Sequence, residues 1–199
     1  EQLVDRYESL LRVLDDPIRV AELAVVGATA AREQLQDPDR AVTLYMMVLD
    51  IDPQHEQALR AMEDIARNSQ DTATLAKVLR RKVDLLYDPQ ERFLAYYELG
   101  QVTSSLGEYE DSITAFREAS LLDPNHSETM QALMTLYDHT QQWEDLVDVL
   151  ERMTTVITQQ ETQYGLFVKA GQVCGEHLDD PHRTIRFYEA ALSLYPQDV

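Results

Sequence analysis

The chain has 199 residues, 44% of them hydrophobic, and its 36 acidic against 17 basic residues give a formal net charge of −19. That apolar content is enough for a folded core and excludes a wholly disordered chain. The negative charge would repel nucleic acid and an anionic membrane surface, so neither is expected as a partner. One cysteine, Cys174, excludes an internal disulfide. No apolar run reaches the roughly 20 residues of a membrane span.

Apolar residues recur at helical spacing along the whole chain, and no alternating strand pattern ends in a turn dipeptide. We therefore predict an all-α chain of about eleven helices. They lie near residues 1–14, 18–34, 38–50, 55–68, 72–86, 90–105, 109–121, 126–139, 143–157, 161–177 and 181–194. The connections are short, so neighbouring helices should be antiparallel.

Asp-Pro pairs mark many of the predicted helix ends. Where a helix begins, Asp caps the free N–H groups and Pro suits the first helical position. This role is predicted for Asp37-Pro38, Asp88-Pro89 and Asp180-Pro181. Asp52-Pro53 and Asp123-Pro124 are predicted to follow the end of a helix.

The sequence contains a long internal repeat. Pro53, Pro124 and Pro196 close similar segments (41–53, 112–124 and 184–196), and these prolines stand 71 and then 72 apart. A longer hairpin follows each of the first two segments and also repeats. Residues 55–86 align with residues 126–157, and the aligned apolar pairs stand 71 apart: Leu59 with Met130, Met62 with Leu133, Leu75 with Leu146 and Leu79 with Leu150. The repeating unit is therefore a pair of helical hairpins, one shorter and one longer.

Residues 96–124 resemble the tetratricopeptide repeat, a helix–turn–helix of about 34 residues. Seven residues match its pattern in order and spacing: Tyr96, Leu99, Gly100, Ser112, Phe116, Ala119 and Pro124. Thr103 and Ser112 differ from the family's commonest residues, but both could still sit at a helix contact. The hairpins ending at Pro53 and Pro196 match less closely and each carry one extra residue in the turn. The longer hairpins keep only the helical spacing.

The resemblance implies an α-solenoid, a right-handed superhelix of antiparallel hairpins. On this basis residues 1–199 are expected to form a single array, with repeats at 18–54, 55–91, 92–126, 127–163 and 164–199. Residues 1–17 would be a second helix without its first, so the chain is interpreted as a fragment of a longer protein.

No catalytic motif, phosphate-binding loop or cofactor signature is present. His177 and His182 flank Asp179 and Asp180, but this spacing matches no zinc pattern, and no metal is expected. Cys174 falls on an apolar helix face and is expected to be packed. Trp143, at the start of a second helix, is expected to be a packing anchor. We therefore predict that this segment is not an enzyme and needs no cofactor.

In the family it resembles, the first helices of successive hairpins line a concave face that binds extended peptides or partner helices. The resemblance assigns eleven residues to this face: Arg60, Asp64, Arg67, Tyr97, Glu98, Gln101, Gln131, Thr135, Asp138, Lys169 and Gln172. The predicted function is a non-catalytic protein-interaction scaffold whose acidic outer surface would be available to a basic partner.

Two alternatives remain open on the sequence alone. The segment could be a structural spacer or self-association segment of a larger multidomain protein, or the regulatory or docking region of an enzyme whose catalytic domain lies outside it. No compartment follows from the sequence, and a soluble, cytoplasmic protein is the working expectation.

Overall fold

The structure is a computed structural model that describes residues 2–11 and 13–195. It confirms the all-α prediction, because the regular structure of these residues is helical throughout. The eleven described α-helices are α1 Gln2–Leu11, α2 Pro17–Ala30, α3 Pro38–Ile51, α4 Glu56–Ser69, α5 Thr72–Lys82, α6 Pro89–Ser105, α7 Tyr109–Leu122, α8 Ser127–His139, α9 Trp143–Val156, α10 Gln160–Glu176 and α11 Pro181–Leu194. A π-helical turn, Ala31–Leu35, continues α2.

The even-numbered helices α2 to α10 are called the first helices of their hairpins, and the odd-numbered helices are called second helices. Each second helix from α3 onward follows its partner after a short turn. Pro196, the third proline of the repeat pattern, lies outside the described residues.

The chain forms two compact units, Glu1–Asp88 and Pro89–Val199. The first unit, with α1 to α5, has a core that includes Leu44, Tyr45 and Met62. The second unit, with α6 to α11, has a core that includes Phe116, Leu150 and Phe187. A single continuous array over residues 1–199 stays a prediction.

The predicted helix ends agree with the structure to within a few residues, and the end of α5 is one of the larger deviations. This helix was expected to continue to residue 86 but ends at Lys82. The chain then turns, with the Leu85 amide donating to the Lys82 carbonyl at 3.0 Å. Val83 is buried, and Leu85 packs against the core of the first unit. The turn therefore brings Val83 and Leu85 into buried or partly buried positions that a straight continuation of α5 would not give them.

The Asp-Pro predictions at helix starts are confirmed for α3 and α11. Asp37 Oδ1 accepts from the Arg40 amide at 3.1 Å, and Asp180 Oδ1 accepts from the Arg183 amide at 2.9 Å. Two histidines also act as caps, at the starts of α4 and α8. His55 Nδ1 accepts from the Ala58 amide at 3.3 Å, and His126 Nδ1 from the Thr129 amide at 3.2 Å. The equivalent positions of these histidines in the repeat thus reflect one structural role.

In each shorter hairpin a backbone hydrogen bond spans the turn between the two helices. The number of residues that it spans shows where the predicted extra residue lies. In the matched repeat the Glu108 amide donates to the Thr103 carbonyl, five residues earlier, across Gly107 with φ of 77°. In the hairpin ending at Pro53, the corresponding bond runs from Asp37 to Ala31, six residues earlier. The last hairpin has the same six-residue closure, from Asp180 to Cys174. The predicted extra residue is therefore absorbed within the closed turn, and the second helix keeps its cap.

The two helices of the matched repeat approach most closely at Gly100. A Cβ built there would lie 2.8 Å from three ring carbons of Phe116. Ser112 is buried on the facing helix, and its hydroxyl donates to the Gly100 carbonyl at 2.7 Å. Thr103, also buried, donates to the Leu99 carbonyl at 2.7 Å. Both departures from the family pattern therefore lie at the helix contact, as predicted.

Replacing Gly100 with alanine is expected to lower the free energy of unfolding by about 1–3 kcal/mol, because the methyl group cannot fit against Phe116 without a shift of the ring. Gly165, in α10 of the same unit, provides the matched control, since no neighbouring atom lies within 4 Å of the place that a Cβ would take there. Gly165→Ala should raise stability by up to about 1 kcal/mol through helix propensity. Urea denaturation followed by circular dichroism measures both, and equal effects of the two variants would contradict the close approach.

Candidate functional site

A polar groove lies between the first helices α2 and α4 of the first unit. Its volume is about 330 Å³. The buried ring of Tyr45 forms part of its lining, with the hydroxyl 3.2 Å from Thr29 Oγ1. The remaining lining residues are Thr29, Arg32, Glu33, Glu56, Gln57, Arg60, Ala61 and Asp64. The structure thus brings Arg60 and Asp64, both predicted site residues, to one groove, which we call the α2–α4 groove.

The α2–α4 groove continues toward the C-terminal end of α4. A neighbouring depression of about 490 Å³ shares Arg32 and Asp64 with it and adds Gln36 and Asn68. Both cations and carboxylates are present along this path. Side chains that donate and side chains that accept hydrogen bonds are therefore available to one ligand.

Arg67 is a predicted site residue that lies on a different side of α4. Its guanidinium pairs with Glu63 at 2.7 Å, and the other Glu63 oxygen accepts from Lys82 of α5 at 2.9 Å. Arg67 does not line the α2–α4 groove. Burial of Glu63 raises the pKa of its carboxyl, but hydrogen bonds from Arg67 and Lys82, together with their charges, lower the pKa below its ordinary value. This ion triplet links α4 to α5 within their hairpin.

In the second unit, the predicted residues occupy the first helices α6, α8 and α10. Gln101, Gln131, Thr135 and Gln172 are exposed, and Glu98 is half-buried. Asp138 of α8 pairs with Lys169 of α10 at 2.9 Å. That pair places the C-terminal half of α8 and the middle of α10 on a common surface.

Tyr97 lies in an aromatic cluster of the second unit. Its ring centroid is 5.7 Å from that of Phe116 and 5.1 Å from that of His126, both in edge-on contact. Phe93 packs beside it at 6.0 Å. The side chain is half-buried, so a substitution at Tyr97 would disturb packing as well as any ligand contact.

Sequence reasoning missed the contribution of α2 to the α2–α4 groove. Thr29, Arg32 and Glu33 line it, and Gln57 faces them from α4. Spacing three and four apart places the first three residues on one helix face. This spacing could have indicated the shared face. The predicted site residues were assigned from the repeat pattern, however, and the hairpin that contains α2 matches that pattern weakly.

The second helices of each unit are joined by arginines. In the first unit, Arg81 of α5 donates to the Leu49 carbonyl at 2.8 Å and to the Asp50 carboxylate of α3 at 2.7 Å. In the second unit, two such pairs join α11 to α9: Arg183 with Glu144 at 2.6 Å and Arg186 with Glu151 at 3.0 Å. Basic side chains are scarce in this chain, and many of them are used to connect neighbouring hairpins.

Several aromatic, histidine and cysteine side chains contribute to packing between helices. The rings of Trp143 and His177 stack with centroids 3.8 Å apart, and those of Tyr109 and His139 meet edge-on at 4.5 Å. Cys174 is buried, as predicted, and burial raises the pKa of its thiol. None of the helices in residues 2–11 and 13–195 is both long and apolar enough to cross a membrane.

Replacing Glu63 with glutamine should destabilise the first unit by about 1 kcal/mol at neutral pH, since the ionised carboxylate receives two charge-assisted hydrogen bonds. A carboxyl with a lowered pKa stabilises the fold above its ordinary pKa of about 4.3 and loses that contribution as pH falls through the lower value. The gap between wild type and Glu63→Gln should therefore close on acidification.

Denaturant titrations at neutral and acidic pH measure this gap. Glu56→Gln serves as the control, because Glu56 pairs with Arg60 on the surface of the same helix and should contribute little at either pH. A gap at Glu63 that is independent of pH would contradict the assignment.

Comparison with known proteins identifies one repeat and the fold. The family model of the tetratricopeptide repeat matches residues 94–126. Among solved structures, MamA AMB-1 has a TM-score of 0.50 at 12% identity, covering 92% of this chain and 93% of that one. YrrB, "a TPR protein with an unusual peptide-binding site", has a TM-score of 0.47 at 13% identity, covering 89% of this chain and 88% of that one.

PilF of Pseudomonas aeruginosa has a TM-score of 0.44 at 16% identity, covering 89% of this chain and 78% of that one. No curated protein matches the sequence. The similarity to MamA AMB-1 supports the fold alone, because the identity is low. The matched residues 94–126 coincide with α6 and α7, which pack closely at Gly100. Residues 94–126 match the tetratricopeptide repeat, and the chain that contains them is built of tandem helical hairpins that resemble that family.

Proposed function

We propose that this chain is a non-catalytic protein-interaction module that binds segments of partner proteins on its first helices. The observation that carries the proposal is the α2–α4 groove, in which Arg60 and Asp64 lie opposite Thr29 and Arg32. An extended peptide presents free backbone N–H and C=O groups, and a groove lined by donors and acceptors can satisfy both.

The charges of the α2–α4 groove favour a ligand of mixed polarity. Arg60 pairs with the neighbouring Glu56, and Arg32 pairs with Glu33 at 3.2 Å. These surface pairs are weak and can exchange for contacts with a ligand. The overall charge of −19 would attract a basic partner over a longer range, so a net basic segment is part of the proposal.

The second unit offers a separate surface on α6, α8 and α10. Three exposed glutamines, Gln101, Gln131 and Gln172, carry both donors and acceptors. The Asp138–Lys169 pair adds one group of each charge. We propose that this surface also contacts a partner segment.

Site-specific photo-crosslinking tests the proposal. A photoreactive residue at position 57, in the α2–α4 groove, should crosslink a partner from lysate of the source. The same residue at exposed position 77 of α5, outside the groove, should not. The double variant Arg60→Ala, Asp64→Ala should reduce capture by about tenfold or more, as expected for loss of charged hydrogen bonds.

Thermal melts must first show that each variant folds like the wild type. Equal crosslinking from positions 57 and 77, or full capture by the double variant, would place any binding site elsewhere. Absence of a partner in repeated captures would favour the spacer alternative.

One observation favours self-association as a second candidate function. The outer face of α11 exposes Ile185 and Leu192, with 55% and 42% of their surfaces accessible. Ile113, one repeat earlier in α7, is only 3% accessible because it shares a core with Met130 and Leu133 of α8. An apolar helix from a second copy could cover α11 as α8 covers α7.

Self-association through α11 predicts that Leu192→Glu shifts the chain toward monomer, because a charge would be buried in the contact. Ser193→Glu adds the same charge at the next, exposed position and should have no effect. Sedimentation velocity over a range of concentrations distinguishes the two. Identical behaviour of both variants and wild type would rule out this contact.

A further inference from the structure

The duplicated arginines Arg81 and Arg152 differ in what they bind. One full repeating unit separates them in the sequence. Arg81 of α5 pairs with the carboxylate of Asp50 on α3. The residue one repeating unit after Asp50 is Leu121. The second unit therefore has the arginine but carries an apolar residue where the first unit carries the carboxylate partner.

Among residues 2–11 and 13–195, the hydrogen-bond partners of Arg152 are neutral oxygens. Its guanidinium donates to Ser120 Oγ at 2.9 Å and to the Pro124 carbonyl at 3.1 Å. Leu121, beside it, is 74% accessible. Arg117, one helical turn before Leu121, is exposed and has no carboxylate partner among the described residues. Two guanidinium groups and an exposed leucine thus adjoin one another in a chain where acids outnumber bases.

These residues border a groove of about 740 Å³ between α7 and α9, which we call the α7–α9 groove. The two helices run parallel, because Gln142 bonds to Glu110 near their starts and Arg152 bonds to Ser120 near their ends. Buried Leu133 and Tyr137 of α8 also line the groove. It is therefore confined to the second unit and lies mainly on second helices.

Acidic and basic side chains both line the α7–α9 groove. Asp145 and Asp148 line it in the first half of α9, Glu118 lines it from α7 beside Arg117, and Arg152 lines it in the second half of α9. Asp145 and Arg152 are two helical turns apart, or about 10 Å along the helix. Asp148 is 3.9 Å from Arg183 of α11 and is partly neutralised by it. In the part of the chain that the structure describes, neither Arg117 nor Arg152 forms an ion pair, although Glu118 lines the same groove.

We propose that the α7–α9 groove binds a segment of a partner protein that carries a carboxylate next to an apolar side chain. The carboxylate lies between Arg117 and Arg152, where it takes the place that Asp50 holds beside Arg81. The apolar side chain covers Leu121 and Val149. A basic residue of the same segment, about 10 Å away, faces Asp145. Such a segment is nearly neutral, so the net charge of −19 does not repel it.

The duplication also supplies a blocking substitution that should preserve the fold. Leu121→Asp introduces a carboxylate at the position equivalent to Asp50, where it can pair with Arg152. The variant should fold and melt like the wild type while its arginine is no longer available to a ligand. This distinguishes loss of binding from loss of structure.

The test uses a panel of short fluorescent peptides in which a Glu-Leu pair is placed at varying distances from an arginine. Each peptide has a partner with glutamine in place of glutamate. Fluorescence anisotropy with the full chain should show at least one Glu peptide binding about tenfold or more tightly than its Gln partner, as expected for a charge-assisted hydrogen bond. Leu121→Asp and Arg152→Gln should each abolish this preference.

Arg81→Gln, the equivalent change in the first unit, should leave the preference intact. Failure of every peptide to bind the wild type, equal binding of Glu and Gln peptides, or a preference that survives both Leu121→Asp and Arg152→Gln would overturn the proposal. None of these outcomes bears on the α2–α4 groove, because its residues belong to the other unit.

Discussion

The approach of Gly100 to the ring of Phe116 is the contact on which the matched hairpin depends. The absence of a single Cβ lets an aromatic ring lie against the backbone of the neighbouring helix. The last hairpin uses the same solution, since a Cβ at Gly171 would lie 3.1 Å from two ring carbons of Tyr188. When two helices pack this closely, one face of each helix contacts its partner and the opposite face points away from the hairpin. The residues available for recognition are those on the faces turned away.

Much of this fold could be predicted from sequence because its signals are local. Helical spacing indicated the order of the helices, and capping chemistry placed the starts of α3 and α11 at Asp37 and Asp180. The site was harder to predict. Helical spacing allows the Glu63–Arg67 pair but could not show that Lys82 of α5 also pairs with Glu63, or that Tyr97 joins Phe116 and His126. Such outcomes depend on neighbouring helices far away in the sequence.

The distribution of charge separates the two proposed kinds of surface. Arginines on second helices mostly join neighbouring hairpins, as Arg81, Arg183 and Arg186 do. On the first helices, polar amides and weakly paired ions remain exposed to solvent. Arg152 is the instructive exception, because its position in the repeat is retained while the acidic partner of its counterpart is absent. The arginine that forms a structural ion pair in one copy donates to neutral oxygens in the other.

The alternation of shorter and longer hairpins has a consequence for how such a chain can change in length. The longer hairpins begin at a histidine cap, as at His126, whereas the matched shorter hairpin has the close contact of Gly100 with Phe116. Inserting or deleting one hairpin would place two hairpins of the same type side by side. Adding or losing a whole repeating unit, the interval from Pro53 to Pro124, would keep the two types in alternation. During evolution, such chains are therefore expected to gain or lose hairpins in pairs.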